Sequence, residues 1–396
     1  MWHGNKVVDA DGHIMEPLWD WESYLDPAFR EDRLRVVRDE DDGDKLLIQG
    51  RPSALVRRLG GLPASDDREI RDWNTLPADG VFASYQESCT RASWNGADRL
   101  SWLDGAGIDA TLLFPSLGLI WPREVDPTGP WAVAHFDAYN RWITDMASHD
   151  PERLLPVAQV PATEDAPERL RRLADAGFAH AMIPGGIRDN LLPAEPLFAA
   201  AQDLDIALHL HKVAVPHFLP IARRKGDSTS LRAPAMGPLF NHINETLPGQ
   251  LHLAALLDAR VPDRYPRLRF AFHECNAGWL PSWLDRAEES WNTLRGNGLT
   301  GLCELPPRRY LAERDTFFFS VGLGEDLARL PQWLSPRLML ATDYPHPGSP
   351  KDPAAEWAEI LAEFPESFAT QLTGANAARL VSVRTARKEH EHAVSH

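Results

Sequence analysis

What most constrains this chain is a rhythm. After the first ninety or so residues, runs with the character of buried strands alternate with amphipathic helical runs almost to the end. Strand candidates fall at 6–10, 110–114, 155–160, 179–183, 206–210, 268–273, 316–321 and 337–342. Helical patterns occupy 96–106, 131–148, 164–176, 197–203, 241–259 and 280–295, the fifth with an expected break at Pro248-Gly249. One more helix is expected between the last two strands. Two of the helices close on glycine, Gly107 and Gly177, just before a strand. Strands separated by helices imply parallel pairing, because a parallel neighbour needs a crossover whereas an antiparallel one needs only a turn. Eight such units predict a (β/α)8 TIM barrel, with a doubly wound sheet as the other fold of similar rhythm.

Residues 17–92 interrupt the rhythm. They are rich in Asp, Arg, Gly and Pro, and read as an insertion or cap after strand 1, with short strands at 35–37 and 45–48. The barrel domain is expected to span 1–381, followed by a polar tail at 382–396. The loop at 213–238 is expected to cover the barrel mouth together with the cap.

Charge narrows the partners. The chain has 396 residues, 41 Lys+Arg against 57 Asp+Glu, and a net charge of −16. Such a surface repels phosphate backbones and anionic lipid, so neither nucleic acid nor a membrane surface is an expected partner. Cys89, Cys275 and Cys303 form no C-x-x-C pair and read as free thiols of a reducing compartment. With no apolar leader at the N-terminus, the expected location is the cytoplasm.

In a barrel, chemistry gathers at the C-terminal ends of strands. Strand 1 ends in Asp9-Ala-Asp11-Gly-His13, where alternation puts Asp11 and His13 on one face. The strand at 206–210 runs into His209-Leu-His211-Lys212, again with two imidazoles on one face. The strand at 268–273 ends in His273-Glu274, and the last one in Asp343-Tyr-Pro-His346. Each has a plain structural reading, as a turn-forming Asp or a hydrogen-bonded core His. Taken together they predict a convergent site, because buried charges pair with each other or bind a cation. A carboxylate and imidazole donor set suits a divalent metal.

Other motifs fail. His273-Glu274-Cys-Asn-Ala277 begins like H-E-x-x-H but has Ala277 at the second histidine position. No nucleophile elbow, Walker A loop or dinucleotide fingerprint is present, and Gly322-Leu-Gly324 is a lone glycine pair. Fourteen tryptophans are a compositional excess; Trp94, Trp121 and Trp279 lie near strand ends, where they could line an aromatic pocket.

Five segments carry a resemblance. They are Val8-Asp-Ala-Asp-Gly-His-Ile-Met-Glu-Pro17, Arg99-Leu-Ser-Trp-Leu-Asp-Gly-Ala-Gly-Ile-Asp109, Phe272-His-Glu-Cys-Asn-Ala-Gly-Trp-Leu-Pro281, Leu340-Ala-Thr-Asp-Tyr-Pro-His346 and Gly374-Ala-Asn-Ala-Ala-Arg-Leu380. Over nearly its whole length the chain resembles the amidohydrolase-related metal-dependent enzymes. The similar branch contains the aminocarboxymuconate semialdehyde and resorcylate-type decarboxylases. The resemblance implies Asp11, His13, His209 and Asp343 as ligands of one divalent ion, Zn²⁺ first and Mn²⁺ second. It implies catalytic roles for Asp343 and for a strand-6 residue. That residue is Glu274 by register or His273 by chemistry, and alternation is expected to let only one of them face the metal. His346 is expected to orient substrate.

The activity implied is non-oxidative decarboxylation of an aromatic or unsaturated carboxylic acid. Hydrolysis of an ester, lactone or C–C bond by the same site is the alternative, and a metal-free binding barrel is a third reading. Lys212, Arg188 and Arg91 are candidate partners for a substrate carboxylate, and a homodimer is expected.

Overall fold

The computed structural model describes residues 4–39, 43–56, 59, 84–184, 194–212, 246–322, 324–346 and 348–381. Arg188, the loop at 213–238, residues 241–245 of the fifth helix, Leu323 and the tail at 382–396 lie outside the described residues. So do 40–42, 57–58 and 60–83 of the expected cap.

In chain order the strands are β1 (Val8–His13), β2 (Arg35–Val37), β3 (Lys45–Ile48), β4 (Arg51–Pro52), β5 (Ala110–Phe114), β6 (Leu154–Gln159), β7 (His180–Met182), β8 (Ala207–His211), β9 (Phe270–His273), β10 (Phe317–Val321) and β11 (Leu338–Leu340). Eight of them form one sheet in the order β1-β5-β6-β7-β8-β9-β10-β11, every neighbouring pair parallel. The chain beyond β11 returns to β1. Asp343 N–H donates to Asp11 O at 2.8 Å and His13 N–H donates to Tyr344 O at 2.6 Å. Those two bonds nearly close the sheet, and with helices between its strands this is the predicted α/β TIM barrel. β2, β3 and β4 form a separate antiparallel sheet in the insertion.

Alternation along the strands divides the core. Ala10, Leu112, Val157, Met182, Ala207, Ala271, Phe318 and Met339, one from each barrel strand, pack together inside the barrel. Phe270, Phe272, Phe317, Phe319, Leu208 and Leu210 belong instead to the larger cluster under the helices. The helix Pro130–Ala147 buries Trp131, Phe136, Tyr139, Ile143 and Met146 along one stripe. Fully burying a large apolar side chain contributes roughly 1.5–3 kcal/mol, so this aliphatic and aromatic shell holds sheet and helices together.

Pro248 lies in the first turn of the helix Leu247–Asp258, and residues 241–245, on the other side of the expected break, lie outside the described residues. One expectation about helices is corrected. Among the described residues between β10 and β11 the helical segments are two 3-10 turns, Leu327–Arg329 and Gln332–Arg337. Pro331 and Pro336 deny that stretch the amide hydrogens a longer helix needs. Among the described residues, no helix is long and apolar enough to cross a membrane.

Candidate metal centre

An irregularity in β1 decides where its polar side chains go. Val8 and Ala10 face the interior, and strict alternation would then send Asp11 and His13 outward. The register with β5 moves from Asp9↔Thr111 to Gly12↔Leu113, so three steps of β1 answer two of β5. The extra residue is a bulge, and it turns Asp11 and His13 inward. They share a face, as expected, but the bulge chooses which one. Gly12 is required there, because a Cβ would overlap Thr111 Oγ1 and lie 2.8 Å from Asp9 Oδ2.

Asp9 itself is buried and stitches the barrel seam. Its carboxylate accepts from Thr342 N–H at 2.9 Å, Thr342 Oγ1 at 2.8 Å and Thr111 Oγ1 at 3.0 Å. These bonds tie β1 to β5 and to the chain leaving β11, next to the site. From the helix Gly96–Ala106 the buried Arg99 donates to the carbonyl of His13. Its guanidinium stacks 4.8 Å from the Tyr344 ring.

Four donors converge at the mouth. His211 Nε2 lies 3.2 Å from Asp11 Oδ1 and 3.1 Å from His13 Nε2. His13 Nε2 lies 3.5 Å from Asp11 Oδ1 and 3.3 Å from Asp343 Oδ1. Tetrahedral ligation with bonds of about 2.1 Å sets donors roughly 3.4 Å apart. The separations among Asp11, His13 and His211 match that spacing, so these three fit one divalent cation, and Asp343 adjoins them through His13 and groups with His13 and His346. Outer contacts fix their orientation, as metal ligands require. His13 Nδ1 bonds the Pro115 carbonyl at 2.9 Å, His211 Nδ1 the Lys212 carbonyl at 2.7 Å, and Asp11 Oδ2 lies 3.4 Å from the Ser320 hydroxyl.

His209 is placed differently from the ligand role expected of it. It also faces the barrel interior, but one layer deeper, with Nε2 at 2.9 Å from His180 Nδ1 and Nδ1 at 2.8 Å from His273 Nε2. Both ring nitrogens are occupied, and the imidazole that meets Asp11 and His13 is His211. A signal for this was available: of two inward histidines, the one nearer the strand's C-terminal end is nearer the mouth.

The expectation that only one of His273 and Glu274 can face the metal rested on strand alternation, which does not extend to Glu274. β9 ends at His273, and Glu274 takes a left-handed backbone with φ of +53°. Alternation holds only while the chain is extended, so the two need not point apart. His273 is fully buried with Nδ1 3.8 Å from Asp11 Oδ2. Glu274 sits at the rim, 2.7 Å from Lys212 Nζ and 3.9 Å from His211 Nδ1. Asp343 is left-handed too, with φ of +57°. Non-glycine residues held this way cost on the order of 1 kcal/mol and gather at functional sites.

His346 Nδ1 is 2.8 Å from Asp343 Oδ1, and its Nε2 is 2.8 Å from Ser116 Oγ. Its ring lies 4.0 Å from that of His13. Ser116, Ser320 and His180 escaped the sequence analysis; a polar residue inside an apolar strand was the signal for the last two. Lys212 is ion-paired with Glu274, and Arg91 with Asp98 at 2.9 Å. Trp121 packs against Phe136 in the core and lines a small cavity with Glu16 and Gln159. Trp279 donates to the Cys275 carbonyl at 3.0 Å, and Trp94 packs edge-on to Trp19. The three cysteines are buried and unbridged, and burial pushes the Cys275 thiol up to about 12.

Burial sets the electrostatics. It would raise the Asp11 carboxyl, but the charge of His211 and the hydrogen bonds of His13 and His211 outweigh it and hold Asp11 well below the usual range. Burial would lower His211, yet the Asp11 charge and hydrogen bond lift it to about 9. Burial drives His13 down to about 3 and raises Asp343 to about 6, helped there by the Glu274 charge. A proton on His211 thus neutralises Asp11 where a cation would.

A parallel barrel whose mouth gathers such a donor set from its first, fifth and eighth strands defines the class of barrel enzymes built around a divalent metal. This chain belongs to the amidohydrolase family, whose profile matches residues 8–383. A search of curated proteins finds no match. Among solved structures, an amidohydrolase from Mycobacterium avium subsp. paratuberculosis K-10 superposes with a TM-score of 0.76 at 17% identity, covering 96% of this chain and 100% of that one. The 5-carboxyvanillate decarboxylase of Novosphingobium aromaticivorans DSM 12444, with bound manganese and a methoxy-hydroxy-nitrobenzoic acid, gives 0.65 at 16% identity, covering 96% and 98%. A 2,6-dihydroxybenzoate decarboxylase from Rhizobium gives 0.58 at 18% identity, covering 95% and 98%.

Proposed function

We propose that this protein is a metal-dependent carboxy-lyase that removes CO₂, without oxidation, from an aromatic or unsaturated carboxylic acid. Asp11, His13, His211 and Asp343 would hold the ion. Zn²⁺ suits the imidazoles, and the two carboxylates keep Mn²⁺ compatible. When bound, the ion supplies a Lewis-acid anchor for the substrate carboxylate and an adjacent oxygen. The observation that carries the reading is the Asp343–His346 pair beside that anchor. Asp343 Oδ1 lies 2.8 Å from His346 Nδ1 and 3.3 Å from His13 Nε2, so a proton shared within the pair would sit beside the anchor.

The chemistry asks little more of the chain. The C–C bond to the carboxylate breaks, its electron pair stays on the substrate carbon, and Asp343 delivers a proton there. His346 holds that proton on the Asp343 side and is itself fixed by Ser116. Lys212 and Arg91 are paired with Glu274 and Asp98, and in this reading the cation anchors the carboxylate. Decarboxylases of 5-carboxyvanillate and 2,6-dihydroxybenzoate are among the structural neighbours and support this substrate class. Hydrolysis of an ester or lactone uses the same four donors and is the competing outcome. CO₂ release from a panel of hydroxybenzoic acids, run beside an ester and lactone panel on Zn²⁺- and Mn²⁺-loaded protein, tests the reading. Turnover of the esters or lactones alone would replace it.

A further inference from the structure

Three imidazoles climb through the barrel interior in a line. His180 of β7 lies level with Ala207, His209 of β8 is one step up, and His273 of β9 stands beside His211. The contacts along the line are 2.9 Å from His180 Nδ1 to His209 Nε2 and 2.8 Å from His209 Nδ1 to His273 Nε2. Two nitrogens end the line without a hydrogen-bond partner among the described residues, His180 Nε2 below and His273 Nδ1 above. The upper end lies 3.8 Å from Asp11 Oδ2.

At each N···N contact one nitrogen carries the hydrogen and the other the lone pair. A line of neutral imidazoles therefore has two states. In one, every N–H points upward, so that His273 Nδ1–H faces the Asp11 carboxylate and His180 Nε2 ends as a lone pair. In the other, every N–H points downward. A lone pair then faces the carboxylate, and a buried N–H is stranded on His180, at a cost of about 1–3 kcal/mol. The charges at the two ends agree on the first state. Asp11 attracts an N–H at the top, and the positive field of Arg269 acts on His180 at the bottom.

We propose that His180 is a positioning residue for the metal centre. Acting through His209, it holds His273 as the Nδ1–H tautomer, which with Ser320 fixes Asp11 Oδ2 and leaves Oδ1 turned toward His13 and His211. The proposal rests on the reading of Asp11 as a metal ligand. It assigns a function to His180, which touches none of the four donors, and gives His209 a role other than ligation.

The test replaces His180 in the full-length, Zn²⁺-loaded protein labelled with ¹⁵N at histidine. Long-range ¹H–¹⁵N spectra separate Nδ1–H from Nε2–H rings. His180→Asn places an N–H donor where Nδ1 stood, His180→Leu removes it, and His180→Asp puts an acceptor there. Wild type and His180→Asn should show His273 as Nδ1–H, and His180→Asp should convert His209 and His273 to Nε2–H. Mn²⁺ titration of the full-length protein stripped of Zn²⁺ should find His180→Asn within about threefold of wild type and His180→Leu weaker by about 10–100-fold, as for other outer-shell changes. An Nε2–H ring at His273 in the wild type overturns the proposal, whether or not any variant folds. So does a folded His180→Leu that binds Mn²⁺ as wild type does. Failure of the metal reading looks different: the tautomers stay as described while Asp11→Asn leaves Mn²⁺ binding unchanged.

Discussion

His211 Nε2 and Asp11 Oδ1 meet at 3.2 Å across the barrel mouth, joining the ends of two strands that are not neighbours in the sheet. His209, two residues earlier on the same strand, is held a layer below by His180 and His273. His211→Ala should therefore weaken cation binding by more than about 100-fold, beyond the range of outer-shell changes, while His209→Ala stays within about 10–100-fold. Elemental analysis after dialysis against trace Zn²⁺ reads the difference. Equal losses in the two variants would remove the distinction drawn between them.

Metal and proton compete for the same nitrogen. With His211 lifted to about 9, the metal-free protein carries a proton there at neutral pH. A cation must displace it, so binding near neutral pH should release about one proton, and affinity should climb until the pH passes that value. Calorimetry in buffers of different ionisation enthalpy counts the protons. His211→Asn should abolish the release.

His135 offers a clean view of acid stability because it lies away from the metal donors. It is buried, accepts from Leu34 N–H at 3.1 Å, and is driven by burial down to about 4. The unfolded chain, with a histidine pKa near 6.5, binds this proton first. The stabilisation is thus complete above about pH 6.5 and is lost as pH falls toward the folded value, by about 1.4 kcal/mol per pH unit. Unfolding midpoints between neutral pH and pH near 4 should fall more steeply for wild type than for His135→Gln, which keeps the acceptor and cannot charge. Parallel curves would contradict this.

Asp343→Asn keeps the shape of the side chain and removes its acidity. Turnover should drop by about 10²–10⁴-fold, the range of lost general acid–base catalysis. Asp11, His13 and His211 should still retain cation. A variant with full turnover would show that the proton comes from elsewhere.

The bulge can be tested through Gly12. An added Cβ would overlap Thr111 Oγ1 and crowd Asp9 Oδ2 and the Leu112 carbonyl. Gly12→Ala should cost about 1–3 kcal/mol, as overpacking does, and should weaken metal binding because Asp11 and His13 flank it. Gly177→Ala, where a Cβ meets nothing within 4 Å, serves as a control that strains only its own φ of +102°.

Much of this molecule is written in short-range pattern. Apolar runs of strand length, helices closing on Gly107 and Gly177, and polar residues at four strand ends suffice for a parallel barrel with a metal-type mouth. Periodicity is local, and the eight strand segments were located to within about three residues at their ends, a usual uncertainty for boundaries. The choices that matter for the site are not local. Which of His209 and His211 meets Asp11 depends on the relative height of β8 and β1, set by register around the whole barrel. The inward turn of Asp11 and His13 depends on a bulge that only pairing with β5 reveals. That Glu274 lies beside His211 while His273 lies beside Asp11 goes with one left-handed residue at a strand end. The line from His180 to His273 exists because three strands, far apart in sequence, place one imidazole each at successive heights. Side-chain type and spacing carry the chemistry available to the chain, whereas strand register and backbone irregularity decide which atoms come within bonding distance.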